Sequence, residues 1–364
     1  MKVLQIVPTF RIAGAEIMCE NLCYALRESG CDVVAVSLFT EHTPITDRLE
    51  SSGIKVIYLD KKLGFDVSML AKLKKTIRNE KPDVVHTHIG AARYAMLAAS
   101  FCHVRTKVHT VHSIAQQEQS PVGKAVNKFL YKHCGVTPVA LSKEIKDSIK
   151  TVYKLPEQKI PVVLNGIDLT RCQPKSGYSR AEVFKIIQIG RFCDVKNHEL
   201  VLRSFAVFVK KHPDARLQLV GDGELRPAMM HLAKELQIEN VVEFVGLQND
   251  VFPWLHSADL FLLPSKYEGT PMSIVEAMGT GLPIIATSVG GIPDMLENGN
   301  DAILIGNRQS EILEALERFY SSEQLRKTCG QNAKIKSINF SSSTMAKSYL
   351  AVYSSEAERT KPHE

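Results

Sequence analysis

The sequence predicts an α/β protein built from two parallel-sheet domains, and three observations carry that expectation. The length is 364 residues, which suits two domains rather than one. Short apolar runs alternate with helical stretches from the first residues onward, the pattern of a parallel sheet covered on both faces. After a polar, aperiodic stretch over residues 170–182 the alternation starts again, so that stretch reads as a linker. The predicted domains are 1–170 and 183–338, with 339–364 as a last helix and tail.

Taken in order, Val3 to Val7 reads as a strand, Pro8 to Gly14 as a loop and Ala15 to Ser29 as a helix. Val33 to Leu38 and Lys55 to Leu59 follow as strands, then Val67 to Asn79 as a helix. Asp83 to His86 is a strand opening a helix from Gly90 to Cys102. Lys107 to Val111 and Pro138 to Leu141 are strands, Ser142 caps a helix to Tyr153, and Val162 to Leu164 closes the unit as a strand. In the second half the strands are Phe184 to Ile189, Arg216 to Val220, Val241 to Phe244, 259–263 and Pro283 to Ala286. Helices alternate with them over 197–211, 225–236, 250–257, 270–279 and 292–297, and a last helix covers 342–354.

Composition is that of a soluble globular protein, 45% apolar and 23% charged. No apolar run approaches the roughly 18 residues of a spanning helix, and the N-terminal run is too short for a signal peptide. The eight cysteines form no Cys-x-x-Cys and no regular framework, so free thiols in a reducing cytoplasm are expected. Gly-x-Gly-x-x-Gly is absent, which speaks against a nicotinamide-dependent dehydrogenase. The net charge of +6 comes with no nucleic-acid recognition motif.

The chemistry concentrates in Leu263 to Gly281. A buried strand ends in Pro264, a tight loop follows, and Thr270 and Pro271 suit an N-cap and a first helical residue. That start leaves the amides of Met272, Ser273 and Ile274 open, a site for phosphate or hydroxyls. Glu268 lies in the loop, and Glu276 lies inside the helix among Ile274, Val275, Ala277 and Met278. A buried carboxylate needs a partner, and a sugar diol offers two donors to two oxygens. Gly190-Arg191-x-x-x-x-Lys196 follows the first strand of the second half, where its two cations can clamp a diphosphate.

The pattern Glu268-Gly269-x-Pro271-x-x-x-x-Glu276-Ala277 resembles the Glu-x7-Glu signature of retaining GT-B glycosyltransferases of the group 1 / family 4 type. The Gly190-Arg191…Lys196 run and Asn165-Gly166-Ile167-Asp168 match the same family, and the resemblance covers nearly the whole chain. It implies two Rossmann-like domains with a central donor/acceptor cleft and a last helix crossing back to the first domain. It also implies that Arg191 and Lys196 hold the donor phosphates, Glu268 the sugar hydroxyls and Glu276 the ribose. The backbone near Leu247 is expected by the base, with Gly269, Thr270, Met272, Ser273 and Ile274 at the donor.

In Arg11-Ile12-Ala13-Gly14-Ala15-Glu16 the family's first glycine is replaced by Ala13, which leaves Gly14 for the donor contact. His112 stands where the family places a histidine against the transferred sugar, and His88 is a candidate on the acceptor side. A zinc site among His86, His88, His109 and His112 would need a carboxylate or cysteine that the pattern does not supply. No Asp-x-Asp appears in a suitable context, so neither a metal nor another cofactor is expected.

The expected activity is metal-independent transfer of a hexose or N-acetylhexosamine from a nucleotide-sugar, with UDP as the expected nucleotide. The acceptor is expected to be a saccharide or a lipid-linked saccharide of the cell envelope, capsule or exopolysaccharide. A nucleotide-sugar 2-epimerase, a phosphorylase and a non-catalytic nucleotide-sugar-binding module are the alternatives. Lysines at 61, 62, 72, 74, 75 and 81, and at 124, 128 and 132, suit an anionic membrane surface as well as a solvated face. A cytoplasmic protein, peripheral on the inner membrane face, is the expectation that follows.

Overall fold

The computed structural model describes residues 1–118, 120–175, 177–179 and 182–359. They form two compact units: Met1–Gly166 together with the chain from Ser341 onward, and Ile167–Phe340. Of the polar stretch 170–182, Ser176, Arg180 and Ala181 lie outside the described residues, as do residues 360–364.

The first unit opens with β1 (Lys2–Val7), α1 (Gly14–Glu28), β2 (Asp32–Ser37), α2 (Pro44–Ser51) and β3 (Lys55–Tyr58). It continues through α3 (Ser68–Glu80), β4 (Val84–His88), α4 (Ala92–Phe101) and β5 (Thr106–Val111). Helices α5 (Ala115–Glu118) and α6 (Pro121–His133), strand β6 (Val136–Ala140) and α7 (Lys143–Tyr153) complete the run. All six strands are parallel, in the order β3-β2-β1-β4-β5-β6. Four of the six residues of β2 are Val or Ala, nearly all buried, the near-continuous apolar run of a strand covered on both faces.

The second unit repeats the plan with β7 (Phe184–Ile189), α8 (His198–Lys211), β8 (Ala215–Val220), α9 (Arg226–Glu235) and β9 (Val242–Gly246). Then come α10 (Phe252–Ser257), β10 (Leu260–Leu263), α11 (Met272–Thr280), β11 (Ile284–Thr287), α12 (Ile292–Met295) and β12 (Ile303–Ile305). Helices α13 (Gln309–Ser321) and α14 (Glu323–Ser337) end it, and α15 (Ser342–Arg359) returns to the first unit, where it packs on α1 and β5. The order β12-β11-β10-β7-β8-β9, all parallel, is the first sheet's winding repeated. Each unit is therefore a doubly wound, Rossmann-like domain, with its strand order reversing at β1/β4 and at β7/β10.

Two expectations need correction, and several elements had none. Val162–Leu164 is not a strand: Val162 makes only an isolated bridge to Ala140, with Pro161 unable to donate beside it. Helices α2, α6, α13 and α14 and strand β12 carry no expectation from the sequence reading. The first strand of the β4–α4 pair runs on to His88, so both histidines of His86-Thr87-His88 are strand residues, on one face two apart. All eight cysteines are free thiols, five of them buried. No described helix is long and apolar enough to cross a membrane.

Candidate active site

The reversal of strand order in the second sheet brings the loops after β7 and β10 together, the place where open α/β sheets bind ligands. Lys196, from the first loop, donates from Nζ to Oε1 of Glu268 at 2.5 Å. The same oxygen accepts from Ser265 Oγ at 2.6 Å. The Glu268 side chain is 8% exposed and that of Lys196 19%, so this ion pair is largely withdrawn from water. Gln188 holds the Lys196 carbonyl at 2.9 Å, and Asn197 turns the chain with φ 55 into α8.

The Glu268 loop is fixed from β11 and beyond. Thr287 Oγ1 donates to the Ser265 carbonyl at 2.6 Å, and the Gly291 amide donates to the Glu268 carbonyl at 3.0 Å. Gly290 has φ +59, and a Cβ there would stand 1.7 Å from the Glu268 carbonyl oxygen. Only glycine fits under that carbonyl.

Helix α11 begins one residue later than its sequence suggests. Pro271, not Thr270, is the N-cap, with φ −67 and ψ 120. The fixed proline φ permits that extended conformation, and its carbonyl accepts from the amides of Ile274 at 3.1 Å and Val275 at 3.4 Å. The Ile274 amide is thus already used. The amides of Met272 and Ser273 meet no acceptor among the described residues and remain open. Gly269 and the buried Thr270 link this cap to Glu268.

Glu276 is 8% exposed. Burial pushes its carboxyl up to about 7; Arg171 opposes the shift and Asp250 reinforces it. No hydrogen-bond donor contributes to that balance among the described residues. Arg171 is itself paired with Asp250 at 3.2 Å. The 167–172 segment packs closely on α11: a Cβ on Gly279 would lie 2.6 Å from Cys172 Sγ. Arg171 and Asp250 are neighbours of the site that sequence reasoning missed, since no local spacing ties them to Glu276.

The other cation stands apart from this pair. Arg191 is 72% exposed and pairs with Glu224 at 3.0 Å. Leu247 follows β9 and is 55% exposed.

In the first unit, Gly14 is the exposed first residue of α1, with Ala13 as an extended N-cap that supplies no side-chain bond. Two residues on, Glu16 is buried, and desolvation pushes its carboxyl up to about 7, against a backbone hydrogen bond and Arg11. The sequence showed this residue in its motif without marking it as a buried carboxylate. His112, after β5, is partly buried, and desolvation with the nearby His109 pushes its pKa down to about 3. His88 does not open to solvent as an acceptor-side residue should. It is fully buried, with Nε2 on Gln5 Oε1 at 2.8 Å and Nδ1 on His112 Nε2 at 3.2 Å.

Two family models match the chain, "Glycosyltransferase Family 4" over residues 12–171 and "Glycosyl transferases group 1" over residues 173–336. An N-acetyl-α-D-glucosaminyl L-malate synthase of Bacillus anthracis is 31% identical over 79% of each chain. The UDP-Gal:α-D-GlcNAc-diphosphoundecaprenol α-1,3-galactosyltransferase of Escherichia coli is 29% identical over 82% of this chain and 83% of its own. Among solved structures, Anabaena Alr3699/HepE in complex with UDP and glucose superposes with a TM-score of 0.83 at 19% identity, over 98% of this chain and all of that one. Sucrose-phosphate synthase from Thermosynechococcus elongatus superposes with a TM-score of 0.78 at 18% identity, over 98% of this chain and 99% of that one. These likenesses show the two-domain GT-B fold.

Proposed function

From the premise that the chain belongs to the group 1 / family 4 glycosyltransferases, we propose that it is a retaining hexosyl- or N-acetylhexosaminyltransferase with a UDP-sugar donor. The observation that carries the donor reading is Glu276, a buried carboxylate that meets no hydrogen-bond donor among the described residues, beside two helix amides open among them. A ribose diol would supply the missing donors, and a diphosphate would take the amides of Met272 and Ser273. The names of relatives that use UDP-galactose or were solved with UDP support the same nucleotide.

In this reading the incoming sugar takes Glu268 and the diphosphate takes Lys196, so the donor replaces their mutual bond with two of its own. Arg191 at the rim turns from Glu224 to the phosphates. As the glycosidic bond breaks, negative charge grows on the leaving diphosphate, and these cations and amides stabilise it without a metal ion. The transition state resembles an oxocarbenium ion. No carboxylate is assigned as a nucleophile, and front-face attack, with the departing phosphate oxygen accepting the acceptor's proton, is the favoured course. His112 contacts the transferred sugar.

The acceptor is proposed to be a lipid-linked saccharide in envelope or capsule synthesis, used at a membrane surface. Support comes from the segment after β3, where Leu63 is 92%, Phe65 77% and Val67 76% exposed beside Lys61 and Lys62. Apolar tips flanked by lysines suit an anionic lipid surface.

The test is nucleotide release from a panel of UDP-, GDP- and ADP-sugars with EDTA present. Slow hydrolysis of one UDP-sugar is expected; release that needs added metal would overturn the metal-free course. Glu276→Ala should weaken binding of free UDP, whereas Glu268→Ala should spare UDP and weaken the UDP-sugar. Equal losses of both ligands in both variants would contradict these roles.

A further inference from the structure

His198, a buried residue of the second unit, has no role in the site described above. It opens α8 two residues after Lys196, is 3% exposed, and stacks on Phe192 with ring centroids 4.0 Å apart at 15°. Neither of its ring nitrogens meets a hydrogen-bond partner among the described residues. The same holds for Oε1 of Gln188, the buried amide whose Nε2 holds the Lys196 carbonyl. The amides of His198 and Glu199, the first two of α8, also meet no acceptor among those residues. Buried polar atoms in folded proteins are nearly always paired. Three such atoms at the two ends of the Lys196 loop point to a partner that arrives from outside.

Their chemistry says which kind. Gln188 Oε1 can only accept, a neutral imidazole offers one donor and one acceptor, and an imidazolium offers two donors. The open amides add donors and the positive end of the α8 dipole, which attracts an anion and disfavours a second ring proton until the anion is there. In the free protein the ring is neutral, because desolvation, with Lys196 second, pushes its pKa down to about 4. Lys196 is the charged group that bears on it among the described residues. Other charges of the surrounding elements are matched elsewhere: Arg191 with Glu224 ahead of α9, Asp194 with Lys266 after β10, Glu199 with Arg203 along α8 and Arg308 with Glu311 at α13.

We propose that His198 is a diphosphate-responsive residue: when the donor enters, His198 takes one proton from solvent and donates one ring N–H to a phosphate oxygen and the other to Gln188 Oε1. Donor binding is then linked to proton uptake. The proposal rests on the donor reading given above, in which the diphosphate draws Lys196 from Glu268. That exchange brings negative charge to the start of α8 and turns the lysine, which opposes the second ring proton, toward the phosphates. The bond to Gln188, which also holds the Lys196 carbonyl, ties the new cation to the loop that carries the lysine.

Histidine-ring ¹⁵N spectra of the full chain at pH 6, assigned through bonds, read the protons directly. The His198 ring should carry one proton in the free protein and with uridine, and two with saturating UDP or pyrophosphate. Pyrophosphate has no ribose, so Glu276 does not enter the result. His198→Asn keeps a donor and an acceptor but does not titrate. The ratio of the wild-type Kd for pyrophosphate to that of His198→Asn should rise about tenfold between pH 6 and pH 8. Should His198→Asn fail to fold, the wild-type spectra decide. A ring still singly protonated with UDP or pyrophosphate bound, a ring doubly protonated before either is added, or a flat Kd ratio would overturn the proposal and leave the donor reading standing. Failure of both UDP and pyrophosphate to bind would overturn the donor reading and the proposal with it.

Discussion

Lys196 and Glu268 are far apart in the chain and close in the fold, and their pairing has a measurable cost of removal. Lys196→Met leaves a buried carboxylate with Ser265 as its remaining side-chain donor, which should destabilise the protein by about 3 kcal/mol in urea titrations. Adding Glu268→Gln should recover part of that loss; strict additivity would contradict a direct pair. Glu276 behaves in the opposite way in the free protein. Its folded pKa of about 7 lies above the ordinary 4.5, so the folded state holds the extra proton between those values. Stability from this group is full below the unfolded pKa and is lost as pH rises through about 7. Glu276→Gln should therefore raise the melting temperature at pH 8, by the equivalent of on the order of 3 kcal/mol, and change little near pH 4.5. Both glutamates were legible as residues, because strand, Glu-Gly-x-Pro and apolar helix frame them in one short stretch. Their partners were not. Ser265 is an ordinary loop serine, and Arg171 reaches the site only because Gly279 lets its segment pack closely.

At the scale of elements, the strands were the most legible part, since runs such as Phe184–Ile189 have few other uses. Helix α13 carries Ile312, Ala315, Leu316 and Phe319 at helical spacing and was readable in principle. Helix α14 was not: its buried positions include Arg326, Gly330 and Ser337, which no hydrophobic period marks. Arg326 is buried because its guanidinium satisfies the carbonyls of Tyr178, Phe319 and Tyr320, a requirement invisible along the chain. The start of α11 was misread because Thr270 and Pro271 both suit a helix start, and the chain takes Pro271 as the N-cap. The tie between this element and the next is Gly290. Gly290→Ala puts a methyl group into the Glu268 carbonyl and forces a positive φ on alanine. It should cost more than about 1 kcal/mol and reduce turnover with UDP binding largely retained. Unaltered kcat would show that the Glu268 loop tolerates displacement.

Across the whole molecule, titration should divide the two units. The first holds the buried His86, His88 and His109 and the partly buried His112, all pushed below the ordinary pKa of 6.5, whereas the second has His198, lowered to about 4. A histidine with a depressed folded pKa stabilises above its unfolded pKa and loses that contribution as pH falls. Each unit also holds one glutamate raised to about 7, whose effect has the opposite sign. Four histidines against one glutamate make the first unit the acid-labile one. The single tryptophan, Trp254, lies on α10 in the second unit. On acidification from pH 7 to pH 4.5, far-UV ellipticity should therefore fall before Trp254 emission changes; coincident transitions would contradict this. The twofold repeat of the winding was visible in the sequence as a restart of the alternation, but nothing local announced that Tyr349 and Tyr353 on α15 complete the histidine network of β4 and β5. That return has a consequence for biosynthesis. As the chain leaves the ribosome, the strands of the first unit emerge before the second unit, yet the first unit lacks its last helix until the whole second unit has been made. Cotranslational folding can finish the second-made half before the first, and the emerging N-terminal half, with α1 and its buried histidines still uncovered, is the species a nascent-chain chaperone would meet.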